Sequence, residues 1–279
     1  MTLAIRFAPS PTGPLHLGHA YSALLAYDMA VAGHDRFLLR IEDTDIARAR
    51  PQWEKQIYED LRWLGLVWET PVLRQSDHLA RYANSLTHLE TQGLLYPCSC
   101  TRGDIRAALS APQEGVRAAA VYPGTCRNRP MSSRQPGDAL RLDLGRALDH
   151  LTKLPEFTET GPARAGHHIL SPERMLQHTG DAVLGRKEIE TVSYVLAAVI
   201  DDAKQQITTV IRGEDLYETT FLQILLQALL GLPTPTYHHH KLIRDASGKR
   251  LAKRDDARAI AKYHADGATP HSIRTLLDL

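Results

Sequence analysis

Only three cysteines, Cys98, Cys100 and Cys126, occur among the 279 residues. So small and odd a number excludes a disulfide framework and leaves metal ligation or simple burial as their use. No stretch approaches the roughly 20 consecutive apolar residues needed to cross a bilayer. The opening residues MTLAIRFAPS lack a signal-peptide core, so a cytoplasmic protein with no membrane partner is expected. Net charge is almost absent as well, with 33 Lys and Arg against 32 Asp and Glu. A global positive field is thereby excluded, and any nucleic-acid contact must come from local basic patches. No internal repeat is visible, which argues against a solenoid. What remains, 43% hydrophobic and 23% charged residues, suffices for one large α/β core with a smaller insertion.

The pattern along the chain supports that class. Residues 3–8 form a short apolar run ending at Pro9, and a helical pattern follows from Leu17 to Ala32, with Gly33 placed as its left-handed C′ residue. Phe37–Ile41 reads as a second buried strand, completing a βαβ unit. Pro51 marks the start of a helix ending near Gly65, whose stripe Trp53, Ile57 and Leu61 belongs to the core. A further helix is expected over 77–92. The segment 95–165, rich in Pro, Gly and Arg, reads as an insertion. Regular pattern returns at 169–178, 193–200, 207–211 and in an apolar helix over 220–230.

Two segments carry chemistry. Arg6-Phe7-Ala8-Pro9-Ser10-Pro11-Thr12-Gly13-Pro14-Leu15-His16-Leu17-Gly18-His19 leaves the first strand and opens the first helix. A helix N-terminus offers unpaired N–H groups and partial positive charge to an anion, and Gly18 lets a nucleotide approach the backbone. His16 and His19 share one side of that turn, where imidazole N–H donors suit an α-phosphate. Far downstream, residues 241–254 form a basic stretch around Gly248, and basic loops suit a triphosphate.

Together these segments resemble the HIGH and KMSKS motifs of class I aminoacyl-tRNA synthetases, and the RFAPSPTGxLHxGHA form is similar to the glutamyl branch. In the second motif Arg250 replaces the first Lys and Ala252 the Ser, while Lys253 is retained. The resemblance implies a Rossmann-like class I catalytic core that uses ATP and Mg2+, with His16, Gly18, His19 and Lys253 as catalytic positions and His16, His19 and Lys253 on the ATP. It further implies that Arg6, Ser10, Glu42, Tyr194 and Arg212 bind L-glutamate, with Arg6 forking onto the side-chain carboxylate, Glu42 pairing the ammonium and Tyr194 donating its hydroxyl.

Cys98-Ser99-Cys100 followed by Tyr122-Pro123-Gly124-Thr125-Cys126 places thiolates at a separation that suits structural Zn2+, which takes four ligands. The shortened glutamyl-synthetase-like proteins imply Tyr122 as the fourth, within a CxC…YxxxC pattern. His150 and His167 stand as alternatives. The organisation expected is a first half of the core over 1–94, an acceptor-binding-like insertion with a zinc knuckle over 95–165, a second half over 166–240, and the KMSKS-like loop with a short tail over 241–279. The resemblance runs from Arg6 to about Asp256 and stops where a full glutamyl-tRNA synthetase would enter its anticodon-binding domains. That architecture resembles the glutamyl-Q tRNA(Asp) synthetase family, which implies transfer of glutamate to the queuosine of tRNA(Asp). A truncated glutamyl- or glutaminyl-tRNA synthetase charging a 3′ end and a non-catalytic tRNA- or partner-binding paralogue are the alternatives, and a monomer is expected.

Overall fold

The computed structural model describes residues 2–110, 121–187, 191–243 and 258–279. The expected Lys253, Arg250 and Ala252 of the basic loop lie outside the described residues. In chain order the elements are β1 (Ala4–Phe7), α1 (Leu17–Gly33), β2 (Arg36–Ile41), α2 (Pro51–Trp63), β3 (Glu69–Arg74), α3 (Leu79–Thr91), β4 (Leu95–Cys98) and α4 (Arg102–Ser110). There follow β5 (Ala139–Leu142), α5 (Leu144–Asp149), β6 (Glu156–Glu159), β7 (Gly166–Ile169), α6 (Pro172–His178), β8 (Val183–Gly185), α7 (Tyr194–Lys204), β9 (Thr209–Gly213), α8 (Tyr217–Leu229), β10 (Thr236–His240), α9 (Ile260–Ala265) and α10 (Pro270–Leu277).

Seven strands form the main sheet in the order β3-β2-β1-β9-β10-β6-β7. Pairing is parallel throughout except for β7, which runs antiparallel to β6. The strand order reverses between β1 and β9, and in open α/β sheets a ligand crevice lies outside the carboxyl ends of the strands at such a switch point. Both strands end there in chemistry-bearing residues, β1 at Arg6-Phe7 and β9 at Arg212-Gly213.

Strand alternation sorts the side chains onto two faces. Ile5, Phe7, Leu39, Ile41 and Ile211 pack with residues of α1, α2 and α10 in one buried cluster. Ala4, Leu38, Val210 and Tyr237 pack on the other face with α7 and α8. Two residues beyond each of these, on the same face, the apolar side chain gives way to Arg6, Arg40, Arg212 and His239. The core of the α7/α8 face therefore turns charged at the carboxyl end of the sheet.

A smaller antiparallel sheet has the order β4-β5-β8. Sheet membership cuts across the division expected at residue 165. β6 precedes that point yet pairs with β10 in the large sheet, and β8 follows it yet pairs with β5 in the small one. Two local expectations are also corrected. Gly33 is not the left-handed residue closing α1; His34 is, at φ 55° and ψ 36°, its amide donating to the carbonyls of Ala30 and Val31. A Cβ on Gly33 would meet only the Asp35 side chain, whose carboxylate can swing aside. The helix expected from 77 begins instead with a 3-10 turn at Gln75–His78. Of the α2 stripe, Ile57 and Leu61 are buried and Trp53 only partly so.

Candidate functional site

A cavity of about 440 Å3 opens at the switch point. Eight of the sequence-derived positions line it: Arg6 and Ser10 on β1 and its following loop, His16, Gly18 and His19 at the start of α1, Glu42 just past β2, Tyr194 at the start of α7, and Arg212 near the end of β9. Each sits where the chain leaves a strand or enters a helix, so the topology alone gathers them.

The α1 entrance is built differently from expectation. His16 is the N-cap, and its Nδ1 accepts from the Gly18 amide at 3.1 Å. His19 Nδ1 accepts from the His16 amide at 3.1 Å, which closes a reciprocal capping box. Histidine thus fills the role usually taken by Ser or Thr, and the Gly18 amide is used internally rather than offered to an anion. With Nδ1 an acceptor in both rings, each neutral imidazole carries its proton on Nε2. A Cβ at Gly18 would come within 3.0 Å of the His16 ring, so the glycine makes room for the cap as well as for a ligand.

Behind the cavity lies a fully buried charge network. Arg6 donates from Nε and Nη2 to both carboxylate oxygens of Asp202, at 3.0 and 3.2 Å. Arg40 donates from Nη1 to Asp202 at 2.7 Å and from Nη2 to Glu42 Oε1 at 3.0 Å. The guanidinium fork expected for the ligand is therefore closed on Asp202, which leaves Nη1 as the Arg6 nitrogen outside that ion pair. Burial pushes the Glu42 carboxyl upward, outweighing the opposing effect of Arg40 and Arg6. Asp202 goes the other way: burial is outweighed by Arg6 and Arg40, and the carboxyl falls to about 2.

Arg212 is fixed on two sides. Its Nε donates to His239 Nε2 at 3.0 Å and its Nη2 to Thr220 Oγ1 at 2.7 Å. Nη1 is buried and makes no hydrogen bond among the described residues. An unsatisfied buried guanidinium nitrogen costs desolvation energy that a ligand oxygen would recover, the condition expected at a carboxylate site. Asp202, Arg40, Glu159 and His239 were not singled out from the sequence. Their signal was the adjacent acids Asp201-Asp202 ending an apolar helix and the run His238-His239-His240 ending a strand.

The three cysteines converge, their sulfurs all within 4.8 Å of one another. The Tyr122 hydroxyl lies 3.4 Å from Cys98 Sγ and 3.6 Å from Cys100 Sγ, and the Cys100 and Cys126 sulfurs are 3.5 Å apart. A Zn–S bond of about 2.3 Å implies ligand separations of about 3.8 Å in a tetrahedron, so the donor set is compatible with zinc. Burial works upward on the Cys126 thiol, but hydrogen bonds from Tyr122, the Ser99 segment and the other two cysteines outweigh it and bring it to about 6. Among the described residues no histidine joins the cluster.

Comparison with known proteins adds the family. The model for tRNA synthetases class I (E and Q), catalytic domain, matches residues 2–139 and 171–279. The glutamyl-Q tRNA(Asp) synthetase of Rhodobacter capsulatus is 56% identical over 98% of this chain and 99% of its own length. That of Symbiobacterium thermophilum is 38% identical over 96% of this chain and 83% of its own length. Among solved structures, a glutamate tRNA ligase from Elizabethkingia meningosepticum superposes with a TM-score of 0.78 at 27% identity, covering 100% of this chain. The chain spans 61% of the length of that larger enzyme. With the sheet order, the HLGH entrance and these matches in agreement, the chain belongs to the class I tRNA synthetases of the glutamate and glutamine type and carries their catalytic domain.

Proposed function

We propose that this chain uses ATP to activate L-glutamate and transfers it to the queuosine base of tRNA(Asp). The observation that carries the amino-acid half is the unsatisfied, buried Nη1 of Arg212 on the wall of a cavity that also holds Glu42. A guanidinium with no carboxylate partner among the described residues and a carboxylate whose Arg40 bonds all fall on one oxygen together suit a ligand with carboxylates and an ammonium. Both Arg40 bonds fall on Oε1 of Glu42, so Oε2 is the oxygen assigned to the ammonium. Arg212 Nη1 and Arg6 Nη1 supply the donors for the ligand's carboxylates, and Tyr194 and Ser10 supply hydroxyls.

In the first step the glutamate α-carboxylate oxygen attacks the α-phosphorus of ATP, and pyrophosphate leaves with the electron pair of the broken P–O bond. The Nε2–H donors of His16 and His19 stabilise charge on the α-phosphoryl oxygens, and Lys253 neutralises the departing pyrophosphate. Mg2+, when bound, contributes charge neutralisation on the phosphates. In the second step a hydroxyl oxygen of the queuosine cyclopentenediol bonds to the activated carbonyl carbon, the bond from that carbon to the phosphate oxygen breaks with its electron pair going to AMP, and the hydroxyl proton is released. The nucleic-acid half of this reading is supported by the name of the R. capsulatus relative, which matches over 99% of its length. Cys98, Cys100, Cys126 and Tyr122 would hold a structural Zn2+, and a monomeric protein in the cytoplasm is the setting proposed.

The test is incubation with labelled glutamate, ATP, and tRNA from cells with and without queuosine. Label should appear only with queuosine-bearing tRNA, map to the anticodon loop, and be released at mildly alkaline pH as expected for an ester. Label confined to the 3′-terminal adenosine returns the protein to conventional charging. Absence of glutamate-dependent ATP–pyrophosphate exchange makes it a non-catalytic paralogue.

A further inference from the structure

Glu159 and His239 contribute nothing to the cavity wall, yet they are buried, at 2% and 4% exposure, and joined to a residue that does. Glu159 ends β6 and His239 lies on β10, the strand beside it. Glu159 Oε1 accepts from the amides of Gly161 at 2.6 Å and His239 at 2.9 Å, while Oε2 accepts from His239 Nδ1. Three donors hold the carboxylate, and a Cβ on Gly161 would collide with the His239 carbonyl, so the chain path itself requires glycine there.

An imidazole that donates from Nδ1 has its lone pair on Nε2. That lone pair receives the Nε–H of Arg212 at 3.0 Å. The opposite tautomer, or an imidazolium, would set Nε2–H against Nε–H, two donors face to face. Register supports the arrangement, because His239 stands directly opposite Arg212 in the parallel pairing of β10 with β9.

We propose that Glu159 and His239 are positioning residues that orient the Arg212 guanidinium, holding its Nη1 for the ligand's carboxylate and so setting the preference for glutamate over glutamine. Glu159 fixes the tautomer of His239, His239 takes Nε of Arg212, Thr220 takes Nη2, and Nη1 is left as a pure donor. A carboxylate satisfies that donor with either oxygen, whereas a carboxamide does so with one atom and opposes it with the other. The proposal rests on the reading of the cavity as a glutamate site.

The experiment is ATP–pyrophosphate exchange with Glu159→Gln, alone and in an Arg212→Lys background, together with long-range proton–nitrogen correlation spectra of histidine-labelled protein, His239 being assigned by loss of its signals in His239→Gln. The carboxamide introduced by Glu159→Gln offers an N–H donor to Nδ1 and should turn the imidazole to the Nε2–H form. Glu159→Gln should then raise the KM for glutamate about tenfold or more, leave the KM for ATP within twofold, and narrow the preference for glutamate over glutamine. In the Arg212→Lys background, where no Nε–H remains to orient, it should add less than twofold. A merely structural role would move both KM values together and act additively with Arg212→Lys, and either result overturns the proposal, as does an Nε2–H imidazole in the unmodified protein. If the unmodified protein exchanges without dependence on glutamate, the functional reading falls and the tautomer measurement decides the relay on its own.

Discussion

Burial, not bond length, should decide what an ion pair contributes in this protein, and two arginine–carboxylate pairs of like geometry test it. Arg6 meets Asp202 at 3.0 and 3.2 Å, and Arg36 meets Glu69 at 2.9 and 2.7 Å. By distance the second pair is the better one. The side chains of the first are each 5% exposed, however, and those of the second 37% and 45%. Asp202→Asn keeps the shape but removes one of the two anions, Asp202 and Glu42, that offset Arg6 and Arg40. Breaking a buried pair from one side costs about 3–5 kcal/mol. The depression of Asp202 from 3.8 to about 2 points to the same order, about 2–3 kcal/mol at about 1.4 kcal/mol per unit. Because the folded value is the lower one, that contribution is complete above the unfolded value and is lost only as pH falls through about 2, so it is fully present at neutral pH. Glu69→Gln should cost less than about 1 kcal/mol and fade in high salt. Urea unfolding at pH 7 in 0.15 and 1 M salt, with midpoints and slopes compared, measures both. Equal costs for the two substitutions, or a loss below about 1 kcal/mol for Asp202→Asn, would refute the reasoning.

Three further outcomes are expected. Asp60 on α2 is buried, with Oδ1 accepting from Gln56 and Oδ2 without a partner among the described residues, and burial raises its carboxyl to about 6. Its folded value lies above its unfolded one, so stability is lost as pH rises through about 6; Asp60→Asn should therefore gain about 3 kcal/mol at pH 8 and almost nothing at about pH 3, as thermal melts at the two pH values will read. Metal analysis should find about one zinc per chain, removed by Cys98→Ser, and a metal-free protein that is folded and active would refute the zinc assignment. Lys253→Ala should slow pyrophosphate exchange by about two to three decades with an unchanged melting curve, and rates within twofold of the unmodified chain would remove that lysine from the reaction.

The class of fold and the location of the cavity were legible because they rest on local signals. A strand ending at Pro9, a His-Gly-His turn and a helix make a crossover readable in some thirty residues, and every lining position named from the sequence lies beside such a turn. The supports behind the cavity were not legible, because their partners are remote: Asp202 reaches Arg6 across 196 residues and Arg40 across 162. Nothing near Arg6 in the chain shows that its fork is already occupied. The sheet assignments of β6 and β8 failed to show for a related reason, since a strand of three or four residues does not encode which sheet it joins. Gly33 misled because glycine at a helix end is the usual signal for a left-handed residue, whereas here the next residue, His34, takes that conformation.

The capping box at the head of α1 makes His16 answerable to two demands at once. Losing its side chain would fray the first turn at a cost of about 1 kcal/mol, whatever happens to the chemistry. A lineage that had abandoned catalysis would still be under pressure to keep a capping side chain at this position, though not an imidazole in particular. Asparagine separates the demands: it is among the best N-caps, but carries no Nε2–H for a phosphate. A His16→Asn enzyme that melts like its parent and yet cannot form an adenylate would show that the helix needs only a cap at this position and that the imidazole is kept for the phosphate.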